Sequence, residues 1–333
     1  MTRKLRKVGG YERRMFAGGG DKSSSGGKVS SEGKGIGGGA RVKGSVEGKG
    51  WLACAGLGAG VIASGTGLAG ALVIIPTLNT ATRLSAGVIT GTTLCSTTVL
   101  SAVGSVNYLD MGLVNVPAVL LLSTSGIATT FLGAAAARKV GRSRFADLLK
   151  PGLGLVLLGL APNVLKRGEG RGEGEGGGGA TELMERRKNE GFMDYTMNQF
   201  RDFDRSNVMG LAGFGAVGGF TQGFAALGGG LIQTSYMSSF CKDICQHSIV
   251  ATSLAATTLV NLIAASIYLH QGLVCKRSVM IMGGVGGMAL VGSSYMALKV
   301  PERQMKTAFA AFLVVSSAIM IRKGVPALRR FAK

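Results

Sequence analysis

Residues 89–114, ITGTTLCSTTVLSAVGSVNYLDMGLV, and residues 249–274, IVATSLAATTLVNLIAASIYLHQGLV, are two copies of one sequence. The alignment extends without a gap from 89–140 onto 249–300, a constant shift of 160 positions, and 15 of its 52 positions are identical. Matches include Thr92/Thr252, Leu94/Leu254, Thr97/Thr257, Thr98/Thr258, Tyr108-Leu109 with Tyr268-Leu269, Gly112-Leu113-Val114 with Gly272-Leu273-Val274, and Lys139-Val140 with Lys299-Val300. Polar positions recur as well as apolar ones, so the duplication preserves more than hydrophobicity. Both copies are almost entirely apolar. Paired repeats inside a bilayer, with a shared site between them, are how many secondary transporters are built.

The whole chain agrees with a membrane origin. Its 333 residues are 46% hydrophobic and 16% charged, with a mean hydropathy of +0.34, too few charges to clothe a soluble protein of this size. Lys and Arg number 12 in residues 1–50 and 5 in residues 322–333, while the apolar blocks carry almost none. A net charge of +20 concentrated in tails reads as a lipid-headgroup and topology signal and argues against nucleic acid as a partner. Five cysteines, an odd number lying mostly in or beside apolar segments, do not form a disulfide framework.

Residues 1–50 are a Gly, Ser, Lys and Arg mixture without apolar period, which predicts a disordered basic tail. The tail also has the look of an organellar presequence, though a plain basic tail is the preferred reading. Apolar blocks follow at 51–78, 86–106, 113–137 and 147–162, then at 208–240, 248–269, 273–298 and 304–321, eight in all. Most reach the ~20 residues that cross a bilayer core as helix. The expected organisation is a tail (1–50), a first membrane repeat (51–162), a Gly/Glu-rich linker (163–207), a second repeat (208–322) and a basic C-terminal tail (323–333). Within the linker, the charged stretch 181–203 is expected to lie outside the bilayer, in part as helix.

Loop charges decide between two topologies, because Lys and Arg collect on the cytoplasmic side. Single crossings by blocks 51–78 and 208–240 give parallel halves and little charge asymmetry, +13 against +7. If both blocks instead enter and return, the halves are inverted, and one side carries +20 while the other sums to zero. The inverted arrangement is therefore expected, with both termini on the cytosolic or equivalent face.

Glycine density locates the irregularity that such blocks need. GLAGALVIIP at 67–76 pairs with ALGGGLIQTS at 226–235, and Gly67 and Gly70 in one copy, with Gly228, Gly229 and Gly230 in the other, weaken a continuous helix. A break at membrane depth exposes backbone N–H groups that can hold an anion. Close packing of helices through small residues is the competing reading of the same glycines. A second repeated feature is a hydroxyl cluster, Thr90, Thr92, Thr93, Ser96, Thr97 and Thr98, with its partner Thr252, Ser253, Thr257, Thr258 and the added Asn261 in the other copy. Hydroxyls at i, i+4 and i+5 share a helix face and can donate to an oxyanion without the desolvation cost of a buried Lys or Arg. Any single threonine of this kind also serves to bond its own helix or a neighbouring one.

A glycine-rich element, then an A-T-S-L-A element, then a second copy of both across a variable loop, resembles the sulfite exporter TauE/SafE family of membrane permeases over nearly all of 51–322. The second copy reads LGGGL at 227–231 and ATSLA at 251–255; the first departs, with GLAGAL at 67–72, Pro76 retained, and GTTLC at 91–95. The resemblance implies movement of small sulfur-containing anions such as sulfite or organosulfonates.

Other candidates carry less. Cys241, Cys245 and His247 are an incomplete metal set, Arg83 and Lys242 stand in equivalent loops where they could attract anions, and His270 occupies the repeat position of Asp110. There is no GxxxxGK[ST] loop, no HExxH and no nucleophile, base and acid set, so neither ATP-driven pumping nor hydrolysis is indicated, and no cofactor or metal is expected. The sequence predicts an all-α polytopic membrane protein of two homologous, inverted repeats with glycine-broken or re-entrant helices, moving a small anion amid membrane lipids. The expected substrate-binding residues are Gly67, Gly70, Thr92, Thr93, Thr97, Gly228, Gly229, Gly230, Thr252, Ser253, Thr257 and Asn261. An anion channel and a non-transporting scaffold remain as rivals.

Overall fold

The computed structural model describes residues 49–67, 70–82, 84, 86–139, 158–159, 162, 178–201, 203, 208–226, 229–241 and 244–331. The N-terminal tail, most of block 147–162, Arg83, Lys242, Asp243 and Gly228 lie outside the described residues. Its ordered elements are all helices: α1 (Lys49–Thr66), α2 (Ala71–Ala81), α3 (Ala86–Asp110), α4 (Val116–Lys139), α5 (Gly178–Asn189), α6 (Phe192–Arg201), α7 (Val208–Ala225), α8 (Gly229–Phe240), α9 (Gln246–His270), α10 (Lys276–Leu298) and α11 (Glu302–Phe331). Four of them, α3, α4, α9 and α10, are long and apolar enough to cross a membrane. The duplication is visible in the boundaries, since α3 and α9, and the starts of α4 and α10, are shifted by the same 160 positions. The helical backbone of α11 continues to Phe331, through the basic segment 323–333 that the sequence sets apart as a tail.

The equivalent helices α3 and α9 cross antiparallel. Leu94 clusters with Ala264, Ala265 and Tyr268, Thr97 pairs with Asn261, and Ser105 bonds Thr258 at 2.9 Å, so positions rise along one helix as they fall along the other. Two copies of the same element running in opposite directions about one crossing point place an approximate two-fold axis across the bilayer-spanning direction. The repeats are inverted.

Contacts across that axis come in matched pairs, as two-fold symmetry requires. The Oγ1 of Thr252 accepts the backbone N–H of Asn115 at 2.9 Å, and that of Thr92 accepts the N–H of Cys275, 160 positions on, at 3.0 Å. Both corners are built alike. Gly112 (φ 74°) and Gly272 (φ 67°) take the left-handed conformation past the ends of α3 and α9, which lets Leu113 and Leu273 donate back to the carbonyls of Tyr108 and Tyr268, each at 3.1 Å. That is why GLV recurs after YL in the sequence.

The hairpins α1–α2 and α7–α8 are re-entrant. Phe214 stacks on Tyr236, Gln222 reaches the amide of Gly229, and a Cβ on Gly218 would touch the carbonyl of Gly229, so α8 folds back along α7. In the first copy Ile74 and Leu78 share a core with Ala59 and Ala63, and a Cβ on Gly58 would touch Val73.

The glycines divide between two tasks. Gly56 and Gly60 bring α1 against α10, parallel to it, where a Cβ on Gly56 would come within 2.8 Å of the Met282 carbonyl. Gly215, Gly219 and Gly223 bring α7 equally close to α4 beside Leu122, Gly126 and Thr130, and Thr130 Oγ1 donates to the Gly219 carbonyl at 3.0 Å. These are packing glycines, as small residues are in membrane bundles. The conformational glycines are those of the two corners, Gly112 and Gly272, and Gly67 and Gly70 in the first hairpin, with φ of 72° and 73°. Each repeat thus lends its first helix to the second membrane-spanning helix of the other. Two interwoven bodies result, one built on α1, α2 and α10 and one on α7, α8 and α4, with the crossing pair α3 and α9 running between them.

Candidate functional site

Both re-entrant hairpins are broken at their tips. α1 ends at Thr66 and α2 begins at Ala71; α7 ends at Ala225 and α8 begins at Gly229. In the second copy the left-handed turn falls on Ala226 (φ 56°), the repeat partner of Gly67. A helix interrupted in this way leaves carbonyls without partners at the end of one half and N–H groups without partners at the start of the other. The repeats satisfy the carbonyls identically. Tyr108 donates its hydroxyl to the Ser64 carbonyl at 2.8 Å, and Tyr268 donates to the Gly223 carbonyl at 3.2 Å. A tyrosine of the adjoining spanning helix therefore holds each break open.

Polar side chains join the two breaks. On α9, Ser253, Thr257 and Asn261 stand four residues apart and form one stripe, about 12 Å long at 1.5 Å per residue. At one end Ser253 Oγ donates to the Gly67 carbonyl at 3.0 Å and accepts from Thr234 Oγ1 at 2.7 Å. In the middle Thr257 Oγ1 donates to Gln233 Oε1 at 3.3 Å. At the other end Asn261 Oδ1 accepts from Gln222 Nε2 in a short bond, while Gln222 Oε1 accepts the Gly229 N–H at 2.9 Å. Asn261 Nδ2 also donates to Thr97 Oγ1 at 3.4 Å. All of these side chains are buried, and none is charged.

The matching stripe on α3 is Thr93, Thr97 and Ser101. Thr93 is the repeat partner of Ser253, yet among the described residues its fully buried hydroxyl has no hydrogen-bond partner, and neither have those of Ser96 on α3 and Ser235 on α8. A buried hydroxyl without a partner is costly, on the order of 1–3 kcal/mol. Each of the three offers a hydroxyl hydrogen that no acceptor among the described residues takes, and they lie on α3 and α8, helices that flank the two breaks.

The structure therefore brings together Gly67, Thr97, Gly229, Ser253, Thr257 and Asn261, and sets Thr93 beside them. Thr92 and Thr252 stand one residue before the stripe positions Thr93 and Ser253. One residue is a turn of 100° on a helix, and this rotation aims their oxygens at the interhelical corners, where each already accepts a backbone N–H. Gly70 shapes the first hairpin, since a Cβ there would strike Ala59 on α1, and Gly230 lies buried in the first turn of α8. Gly228 falls outside the described residues. Sequence reasoning passed over Gln222, Gln233, Thr234 and Ser235. Two amides within apolar blocks were the signal, because polar side chains at membrane depth are costly and tend to be functional. Cys241 is buried and Cys245 precedes α9, and among the described residues no three His, Cys, Asp or Glu side chains gather as a metal set.

Comparison with curated proteins and with solved structures finds no match. A family model does match, that of Sulfite exporter TauE/SafE, over residues 52–323, which takes in both hairpins, both crossing helices and the seam. With that span and this architecture, the chain is an integral, multi-pass membrane protein and belongs to the sulfite exporter TauE/SafE family.

Proposed function

We propose that this chain is a secondary permease that carries a small sulfur-containing oxyanion, sulfite or an organosulfonate, by alternating access. The observation that carries the reading is three fully buried hydroxyls without a partner among the described residues, Thr93 and Ser96 on α3 and Ser235 on α8, the helices that flank the two half-helix breaks. A sulfur oxyanion presents several acceptor oxygens and no donor, the complement of such hydroxyls. Hydroxyl donors and the first-turn N–H groups of α2 and α8 would solvate it through dipoles. With no fixed cation in the seam, the ion is held without a deep electrostatic trap and can leave on either side.

Gating follows from the inverted hairpins. Their tips enter from opposite faces, and each is fastened to one of the two interwoven bodies. Rocking one body against the other along α3 and α9 would open the seam beside one tip while the second stays closed. The loop charges put both termini on the face carrying the excess of Lys and Arg, which favours arrival of anions there.

The test is counterflow in proteoliposomes. Vesicles preloaded with unlabelled sulfite should accelerate saturable entry of labelled sulfite, with organosulfonates as competitors, and Asn261→Leu should abolish the exchange by severing its bonds to Gln222 and Thr97. Flux that neither saturates nor exchanges would identify a channel instead. No flux of any sulfur anion through well-folded protein would overturn the permease reading.

A further inference from the structure

We infer that α6 is a membrane-surface anchor that lies in the headgroup boundary and holds the α3–α4 corner. This ten-residue helix belongs to the linker between the repeats, and it divides into three faces. One is turned inward and bonded to the corner. Tyr195 donates its hydroxyl to the Gly112 carbonyl at 2.6 Å, Gln199 donates to the Val114 carbonyl at 3.1 Å, and Gln199 Oε1 accepts the N–H of Val116 at 3.0 Å. A polar face carries Asp194, Asn198 and Arg201. The third is apolar and exposed: Phe192, whose ring lies under the Arg187 guanidinium, Met193, Met197 and Phe200 are 44%, 74%, 68% and 47% exposed.

Position identifies what covers that face. The corner joins two membrane-spanning helices, so a helix bonded to its backbone at 112, 114 and 116 sits where the hydrocarbon core ends. Four large apolar side chains on a strongly amphipathic helix at this depth match a helix lying in the interface plane, with its apolar side among the upper acyl chains. Charge settles the lipid class. Residues 178–201 hold four bases and four acids, so apolar insertion drives the contact and zwitterionic lipid suffices. Among the described residues, the equivalent corner of the other repeat has no such cover. A Cβ on Gly272 would meet nothing within 4 Å, whereas one on Gly112 would collide with Arg187 of α5. Because the amide of Asn115 in this corner is also bonded to Thr252, the anchor fixes a corner shared with the seam helix α9.

Trp51 is the single tryptophan of the chain, so a Trp51→Phe background leaves a clean reporter. Met193→Trp, Met197→Trp and, on the polar face, Asp194→Trp would each be reconstituted in phosphatidylcholine vesicles brominated at acyl carbons 6 and 7. The anchor predicts blue-shifted emission at 193 and 197 that bromolipid quenches strongly and aqueous iodide weakly, with the opposite order at 194. Equal iodide quenching at all three sites would show a water-exposed face and overturn the inference. Protection of 193 and 197 from both quenchers would show protein covering them, a second copy included, and would overturn it too. Using two apolar-face sites guards against one variant failing to fold.

Discussion

Substitution of two adjacent threonines by the isosteric valine separates the roles the structure gives them. Thr93→Val removes a fully buried hydroxyl that bonds nothing, so folding stability should be unchanged or should rise by up to about 1–3 kcal/mol, the cost of a buried polar group without a partner. If that hydroxyl donates to a bound oxyanion, its loss removes a hydrogen bond to a charged group, about 1.5–3 kcal/mol, and KM for sulfite should rise roughly 10- to 150-fold. Thr92→Val acts in reverse. It strips the acceptor from the Cys275 N–H, and interhelical polar bonds in membranes are worth between roughly 0.6 and 1.7 kcal/mol. Stability should fall by that amount while KM stays within about twofold of the parent, since less than 0.4 kcal/mol of binding is at stake. Uptake in proteoliposomes gives KM, and unfolding in detergent followed by cysteine accessibility gives stability. An unaltered KM in Thr93→Val, or a loss of stability in that variant equal to that of Thr92→Val, would refute the assignment.

Other expectations follow from the same geometry. Tyr108→Phe and Tyr268→Phe each remove one hydroxyl from a break, so each should destabilise by about 0.5–1.5 kcal/mol, and the double variant should lose the sum because the two sites lie at opposite ends of the crossing pair; denaturant unfolding of all three variants checks additivity. Gly219→Ala places a Cβ against the Gly126 carbonyl and should cost roughly 1–3 kcal/mol, whereas Gly213→Ala meets open space and should gain about 0.5–1 kcal/mol, a contrast readable in thermal unfolding. Ala226→Gly relieves a left-handed non-glycine residue and should stabilise by up to about 1–2 kcal/mol in the same assay. Glu190 accepts hydrogen bonds from Arg186 at 3.0 Å and Asn198 at 3.1 Å, which hold its carboxyl below the ordinary range. A lowered value in the folded state means the α5–α6 turn is supported above the ordinary carboxylate pKa and released as pH falls through the lower, folded one. Hydrogen exchange at residues 189–195, corrected for intrinsic rate, should show that release, and Glu190→Gln should remove its pH dependence.

Sequence alone settled what local chemistry and copying can settle. The 160-residue shift exposed the duplication, apolar length marked the crossing helices, and loop charge with glycine density put an entering and returning hairpin at the head of each repeat. Those are one-dimensional signals, since hydropathy and backbone freedom belong to a residue wherever it is placed. Tertiary structure decided which side chain does what. Thr92 and Thr93 are neighbours of the same type, yet the rotation between them sends one to a corner amide and leaves the other facing the seam. Gly219 and Gly67 look alike in the chain, and only the approach of α4 to one and the turn at the other distinguish packing from breaking. The second break falls on Ala226, which no glycine count would choose. Gln222 acquires its place through Asn261 and Gly229, partners 39 and 7 positions away. Such assignments depend on helices crossing antiparallel far apart in sequence, and a pairing of that kind exists only once the two repeats have packed.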